Sequence, residues 1–358
     1  MIYHLLDGSG EGGAETIASL LAGSSGRLLT LAPAHPDLKK LSRRIRSLDG
    51  IPDSLFAPGD RGGVLARRVM WLRRLRGHAI VAHDPASHEA ATLARAIGGL
   101  PVVRVMHTSA AWTPEDHRRA FHLFSPATSF YFCVERRTHL MAMRLGLRSL
   151  ILPQPIDLGR LNRRVHMIPR RIRLLFVGRL EQAKGADVLI EAFARVVREV
   201  SCELTVIGDG PERPNLESAV QQRRLSGRVS WMGHRRDVGR WYSHADLVVI
   251  PSRGEGGSLV ALESMACGTP IAGSSVGGLR ELMRFWNLST LMAPSGNAGA
   301  LSDVIVSFCR SPGYWFDRFE RIRPKIAAMH DAGQISKWVN HRIAEYIHGR
   351  PGVQRRIK

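Results

Sequence analysis

Residues Leu247–Ala272 read LVVIPSRGEGGSLVALESMACGTPIA, and the order of residue types in them points to one kind of supersecondary unit. Leu247–Ile250 is a short apolar run of the kind buried in a parallel sheet. A glycine loop follows, and Ser258 is placed to cap a helix that Gly268 ends and Pro270 cannot continue. A second apolar run, Pro270–Ala272, then completes a strand–helix–strand unit. A glycine-rich loop feeding a helix N-terminus is a preformed anion site, because free N–H groups and the positive dipole end face the same point. Glu255 lies in the loop and Glu263 eight residues on, inside the helix, so the two carboxylates occupy different depths of one crevice. Both suit hydroxyl groups rather than phosphates.

The same alternation runs along the whole chain. In the first half, strands are expected at Ile2–Leu6, Leu28–Leu31, Ala79–Ala82, Val102–Met106 and Phe130–Val134. In the second half they fall at Arg173–Val177, Leu204–Ile207, Val229–Met232, Leu247–Ile250 and Pro270–Ala272. Helix-like stretches between them predict βαβ units, hence an α/β protein of two doubly wound, Rossmann-like domains facing a cleft. The seam is expected in LPQPIDLGRLNRRVHMIP (Leu152–Pro169), which has three prolines, a basic pair and no sustained period. The expected division is 1–155, 156–335, and a C-terminal helix and basic tail over 336–358 that returns to the first domain. That helix carries Trp338, Ile343 and Ile347 at helical spacing.

Composition bounds the chemistry. Hydrophobic residues make up 44% of the 358 and charged ones 23%, values of a globular protein. No apolar run reaches the ~20 residues that span a bilayer, and the first residues lack the pattern of a secretory signal. Cys133, Cys202, Cys267 and Cys309 lie far apart without C-x-x-C spacing, which argues against a zinc site or disulfide framework and for a cytoplasmic setting. A net charge of +20 implies an anionic partner: nucleic acid, an acidic membrane surface or a phosphorylated ligand. Aromatic residues are only 6% and no nucleic-acid motif occurs, which weighs against the first.

Two further stretches bear on the ligand. In VGRLEQAKGADVLIEAF (Val177–Phe193), Gly178, Arg179 and Lys184 follow a buried-looking strand, where the ends of parallel strands form a crevice fit to grip an anion. The opening DGSGEGGAE (Asp7–Glu15) spells G-x-G-x-x-G, but no acid ends the next strand, and Glu11 and Glu15 would repel a pyrophosphate. It reads as a glycine loop at the cleft rather than a dinucleotide fingerprint.

Together these pieces resemble the donor domain of retaining glycosyltransferases of the GT-B fold, the large family 4 (group 1) type. The resemblance rests on VGRLEQAKGADVLIEAF, LTVIGDGPERPNLE, RVSWMGHRRDV, HADLVVIPS, EGGSLVALESMACGTPI and SVGGLREL, in that order through Arg173–Met283. The first half resembles the family more loosely, in EGGAE, MHTS and LPQPIDLGRL. The resemblance implies transfer of a sugar, with retention, from a UDP- or GDP-sugar to a glycan or lipid-linked acceptor, as in polysaccharide or lipopolysaccharide biosynthesis. It implies that Arg179 and Lys184 hold the donor diphosphate, with Gly178 and Gly208 beside them. Glu255 would touch the transferred sugar, Glu263 the ribose, and the N–H groups of Ser258, Leu259 and Val260 the phosphates. His107 of MHTS would face the sugar, and Gly12 and Gly13 would line the acceptor side. Gly257 and Ser258 depart from the family, which carries a bulky apolar residue and then glycine or proline there; Gln154-Pro155 replaces its usual Asn-Gly.

No two aspartates stand two residues apart, so a metal-binding D-x-D is absent and no metal or other cofactor is expected. GGVLARRVMWLRRLRGH (62–78) places Val64, Leu65, Val69, Trp71, Leu72 and Leu75 broadly on one helical face flanked by arginines. It fits peripheral binding to an anionic membrane, or equally a core-packed helix with a charged rim. A non-catalytic GT-B protein that senses nucleotide sugar is the alternative to an enzyme.

Overall fold

A computed structural model describes residues 1–6, 13–22, 26–30, 69, 70, 72, 75, 78–83, 85–98, 101–107, 130–164 and 170–347. The chain forms two compact units, Met1–Ile156 with Asp331–Lys358, and Asp157–His330. The second crossing between units falls at His330–Asp331 rather than at residue 335.

In the first unit, β1 (Ile2–Leu6), β2 (Gly26–Thr30), β3 (Ala79–Ala82), β4 (Val102–Met106), β5 (Phe130–Cys133) and β6 (Ser149–Ile151) form one parallel sheet in the order β2-β1-β3-β4-β5-β6. Helices α1 (Gly13–Ala22), α2 (Pro85–Gly98) and α3 (Arg136–Arg144) belong to it. In the second, β7 (Ile172–Val177), β8 (Cys202–Ile207), β9 (Val229–Trp231), β10 (Leu247–Ile250), β11 (Ile271–Ser274) and β12 (Met292–Ala293) form another, in the order β12-β11-β10-β7-β8-β9. Its helices are α4 (Ala186–Glu199), α5 (Arg213–Gln222), α6 (Val238–His244), α7 (Leu259–Cys267), α8 (Gly277–Phe285), α9 (Ala298–Arg310) and α10 (Pro312–His330). The chain then returns to the first unit as α11 (Ala332–Ile347).

The strands are apolar runs because both faces are covered: β10 is buried at all four positions, and α4 turns Leu189, Ile190, Phe193 and Val196 inward. The unexpected strands, β6 and β12, are short edge strands without a sustained apolar run. The return helix packs on α1, its Ile335, Val339 and Ile343 are buried, and Ser336 Oγ donates to the Leu21 carbonyl at 2.7 Å. Ile347 is exposed. At the first crossing Ile156 bridges Asp331, and Ala332 N donates to Ile156 O at 3.1 Å. The tail after Ile347 and residues 165–169 of the linker lie outside the described residues.

Among the described residues of 62–78, Val69 and Leu72 are buried in the core with Tyr3, Leu5 and Ile80, and Leu75 packs against them. These three side chains are therefore core, not a face for a membrane. Val64, Leu65, Trp71 and the arginines of that stretch lie outside the described residues.

Opposite the carboxyl ends of the second sheet, Asp246 precedes β10 and is wholly buried. It accepts from Arg164 Nη2 at 2.8 Å, from Arg173 Nη2 and Nε at 2.9 and 3.0 Å, and from the Arg173 backbone N–H at 2.9 Å. Arg164 also donates to the Ala245 carbonyl at 3.1 Å and lies 3.5 Å over the Phe316 ring. This carboxylate therefore ties the segment after the first crossing to β7 and β10. Asp246→Asn leaves the Arg164 cation buried without its counter-charge and is expected to cost about 3–5 kcal/mol. Arg173→Ala, at a side chain 40% exposed, costs less. Urea unfolding followed by tryptophan fluorescence measures both.

Candidate functional site

In the second sheet β7 lies between β8 and β10, and the chain's windings diverge there. Such a switch point leaves a crevice beyond the carboxyl ends of the strands, and the loops after β7, β8, β10 and β11 all meet at this edge. Glycines let them meet. Gly208 (φ +133°) lies so close to the Gly178 carbonyl that a Cβ would overlap it, and its N–H donates to Gly233 O at 2.9 Å. Leu180 N donates to Asp209 O at 2.9 Å, and Glu212 N returns to Leu180 O at 3.0 Å. Gly185 (φ +69°) ends the single turn Gln182–Lys184, and a Cβ there would overlap the Pro251 carbonyl.

The loop after β10 is pinned to this turn. Arg253 N donates to Ala183 O at 2.9 Å, and its guanidinium holds Asp187 at 2.8 and 2.6 Å and the Gln182 carbonyl at 2.7 Å. That pairing keeps the Asp187 carboxyl below its ordinary range. The result is that Lys184 Nζ stands 2.9 Å from Glu255 Oε1, which also accepts from Ser252 Oγ at 2.6 Å. The Lys184 side chain is 31% exposed and that of Glu255 is 8% exposed. The Glu255 carbonyl accepts from Gly278 N at 3.0 Å, so both its backbone and its side chain are held.

Ser258 caps α7 as expected, its Oγ accepting from Ala261 N at 3.3 Å, and Gly268 ends that helix in the left-handed conformation. Leu259 and Val260 are its first two residues, whose N–H groups lie outside the intrahelical ladder. Gly178 directly follows β7. Arg179, by contrast, is not gathered into the cage: its side chain is 68% exposed and pairs with Glu181 at 3.1 Å.

Glu263 sits deeper, where Tyr242 Oη donates to its Oε2 at 2.9 Å. Tyr242 is itself wholly buried on α6. Burial pushes the Glu263 carboxyl up to about 7, against the lowering pull of the Tyr242 hydrogen bond and the Arg160 charge. Burial and the neighbouring Glu263 raise the Tyr242 hydroxyl well above its usual value.

The remaining predicted site residues lie in the first unit. His107 follows β4, with its Nε2 3.2 Å from His83 Nδ1, and burial lowers it to about 4. Gly13 begins α1; Gly12 lies outside the described residues. Ser252, Arg253 with Asp187, and Tyr242 were not anticipated. Arg253 stands two residues before Glu255 in the quoted loop, so its position was visible but its partner was not.

Residues 171–311 match the family described as Glycosyl transferases group 1. The chain is 33% identical over 199 residues to D-inositol 3-phosphate glycosyltransferase of Streptosporangium roseum, covering 52% of this chain and 43% of that protein. It is 30% identical over 132 residues to N-acetyl-alpha-D-glucosaminyl L-malate synthase of Bacillus anthracis, covering 37% and 35%. It thus spans less than half the length of these curated relatives. Among solved structures, HepE of Anabaena, in complex with UDP and glucose, superposes with a TM-score of 0.80 at 18% identity, over 96% of this chain and all of that one. Sucrose-phosphate synthase from Thermosynechococcus elongatus gives 0.78 at 20% identity, over 98% of this chain and all of that one. The fold is the two-sheet α/β GT-B fold.

Two measurements follow from this geometry. Gly185→Ala forces a side chain into left-handed backbone and onto Pro251, and is expected to cost at least about 1–3 kcal/mol, read as a lower urea midpoint. A carboxyl whose folded pKa lies above its unfolded value of 4.5 stabilises the fold only below that value, and the gain is lost as pH rises to about 7. Glu263→Gln keeps an acceptor for Tyr242 without the charge. It is expected to match wild type near pH ~4 and to exceed it by about 1–3 kcal/mol above pH ~7.5. Melting curves at the two pH values decide this.

Proposed function

We propose that the protein is a glycosyltransferase that moves a sugar from a UDP- or GDP-sugar to a glycan or lipid-linked acceptor with retention of anomeric configuration. The observation that carries the reading is the Lys184–Glu255 pair, held by interleaved loops at the β7/β10 switch point, with Glu255 in the loop that feeds the α7 N-terminus. A diphosphate needs a cation and open N–H groups, and a sugar needs a carboxylate. These are the groups this edge of the sheet carries. The group 1 match over residues 171–311 supports the same reading.

In this mechanism Lys184 exchanges Glu255 for the donor's β-phosphate, and Arg179 swings from Glu181 to the same group. Glu255, released, accepts from hydroxyls of the transferred sugar, while Glu263 accepts from the ribose. The bond between the anomeric carbon and the β-phosphate oxygen breaks, and the acceptor oxygen bonds to that carbon on the same face. The acceptor's proton passes to the departing phosphate. Cations and helix-end N–H groups aimed at the leaving group stabilise the charge that develops there. With no D-x-D in the sequence, these groups take the place of a metal clamp. His107 approaches the sugar and Gly12–Gly13 the acceptor. The net charge of +20 suits peripheral association with an anionic membrane from the cytoplasmic side, through arginines rather than through Val69 and Leu72.

The test begins with thermal shifts across a panel of nucleotide sugars. A ligand at 100 times its Kd stabilises by about 2.7 kcal/mol. Turnover of the binding donor is then assayed, and the anomeric configuration of the product is read by NMR. Retention supports the mechanism and inversion overturns it; binding without turnover favours a sensor. Lys184→Ala and Arg179→Ala are expected to lower kcat ~100- to 1000-fold with a smaller rise in donor KM. Transfer is expected to persist in a chelator, and loss restored by manganese or magnesium contradicts the metal-free mechanism.

A further inference from the structure

On the second unit a cavity of about 280 Å³ opens between the end of α8 and the outer side of α10. Trp286, Tyr314 and Ile322 line it together with Arg318, Arg321 and Lys325. Asp317 is the one carboxylate in its wall, against those three cations. Tyr314, Arg318, Arg321 and Lys325 recur every three or four residues and so form one stripe along α10, while Phe316, Phe319 and Ile326 of the same helix are buried. Arg318 ties α10 to the end of α8, its Nη2 donating to the Trp286 and Asn287 carbonyls at 3.2 and 3.1 Å. Arg321 and Lys325 are exposed and form no ion pair among the described residues.

The rings around this cavity face water. Phe285 is 66% exposed and Tyr314 60%, more than any other Phe, Tyr or Trp among the described residues. Phe285 stands edge-on to Trp286 with centroids 5.0 Å apart, and Tyr314 edge-on to Trp315 at 4.9 Å. Exposed rings beside unpaired cations are poorly served by water alone. The headgroup region of an anionic bilayer suits both, because rings enter the boundary with the acyl chains while Lys and Arg meet phosphates. A soluble polyanion would engage the cations and leave Phe285 in water. The patch is also separate from the crevice. Gly278, near the start of α8, donates to the Glu255 carbonyl, and the helix runs nine residues, about 13 Å, before reaching Trp286.

We infer that this patch is the surface by which the second unit docks on an anionic phospholipid membrane. Phe285 and Tyr314 enter the headgroup boundary, and Arg321 and Lys325 meet the lipid phosphates. Arg318 is engaged with the two carbonyls and keeps the patch in shape. This docking role rests on the membrane association proposed above and supplies its surface, but depends on none of the sugar chemistry.

Flotation of the full chain with lipid vesicles is the test. Phosphatidylcholine vesicles with about one-third phosphatidylglycerol are expected to carry the protein at ~0.1 M salt, and pure phosphatidylcholine vesicles are not. Arg321→Gln with Lys325→Gln is expected to weaken partition into the anionic vesicles about 25-fold, about fivefold per charge, and to flatten its salt dependence. Phe285→Ser with Tyr314→Ser is expected to weaken it about 10-fold at every salt concentration, since what is lost is apolar area. Arg223→Gln with Arg224→Gln removes the same charge from exposed positions in the turn leading to β9, at the other edge of the sheet. Beyond the Debye length that control is expected to change partition by less than about twofold. All six side chains are exposed, so each variant is expected to melt with the unsubstituted protein, and either patch pair decides without the other. Flotation that survives a folded patch pair, or falls as far in the control, overturns the patch while membrane association stands. Equal binding to neutral vesicles, or none to anionic ones, overturns the association and the patch with it.

Discussion

Backbone pressed directly on backbone is the constraint from which the second unit's functional edge follows. Gly208 against the Gly178 carbonyl and Gly185 against that of Pro251 leave no space for a Cβ. Each contact brings loops from different strands closer than any side-chain packing permits. The loops are then cross-tied by peptide hydrogen bonds and by the Arg253–Asp187 fork, which fixes the height at which Lys184 and Glu255 face each other. At the other end of the same strands, buried Asp246 does comparable work with charge, holding β7 and β10 through Arg173 and Arg164. The sheet is thus clamped at both ends, by absent side chains at one and by a shared carboxylate at the other.

The cations at this edge of the sheet stand in pairs with carboxylates. Lys184 has Glu255, Arg179 has Glu181 and Arg253 has Asp187. Under the proposed function a phosphate would exchange partners instead of meeting a bare cation, so part of its attraction would be spent in separating existing pairs. The proposed exchange would also favour one kind of ligand: anions alone would leave Glu255 without its cation, whereas anions and hydroxyls together would satisfy both members of the pair. Glu263 shows a related tension, because the fold would be better served by a neutral residue beside Tyr242. Groups that fold poorly and bind well are expected where function is selected over stability.

Most of the framework was legible because it is local. Apolar runs three to five residues long marked ten of the twelve described strands, and Ser258 and Gly268 bounded α7 by their own chemistry. β6 and β12 escaped because short edge strands carry no periodic signal. Long-range pairings were invisible for a different reason. Tyr242 and Glu263, or Arg164 and Asp246, meet only once the sheet has closed, and nothing in either segment names the other. The face holding Val69 and Leu72 admitted two readings, since an apolar stripe looks the same whether it meets lipid or a sheet; the contacts of those residues decide for the sheet. Arg179 shows the reverse case, a residue whose motif implies a ligand while its present partner is a neighbouring glutamate.

The pairing of Ile156 with Asp331 makes the second unit an insertion within the first, entered and left at one place. Seen in time, this orders biosynthesis. Leu21 leaves the ribosome early, yet Ser336, which donates to its carbonyl, is made only after the whole of Asp157–His330. The nascent first unit must therefore wait with α1 uncovered, while the inserted unit has every strand of its sheet available and folds as a block. The long-range closure that completes the first unit is the slow kind of contact, formed across a separation of 315 residues. A chain that ends before α11 leaves the α1 surface that this helix covers open.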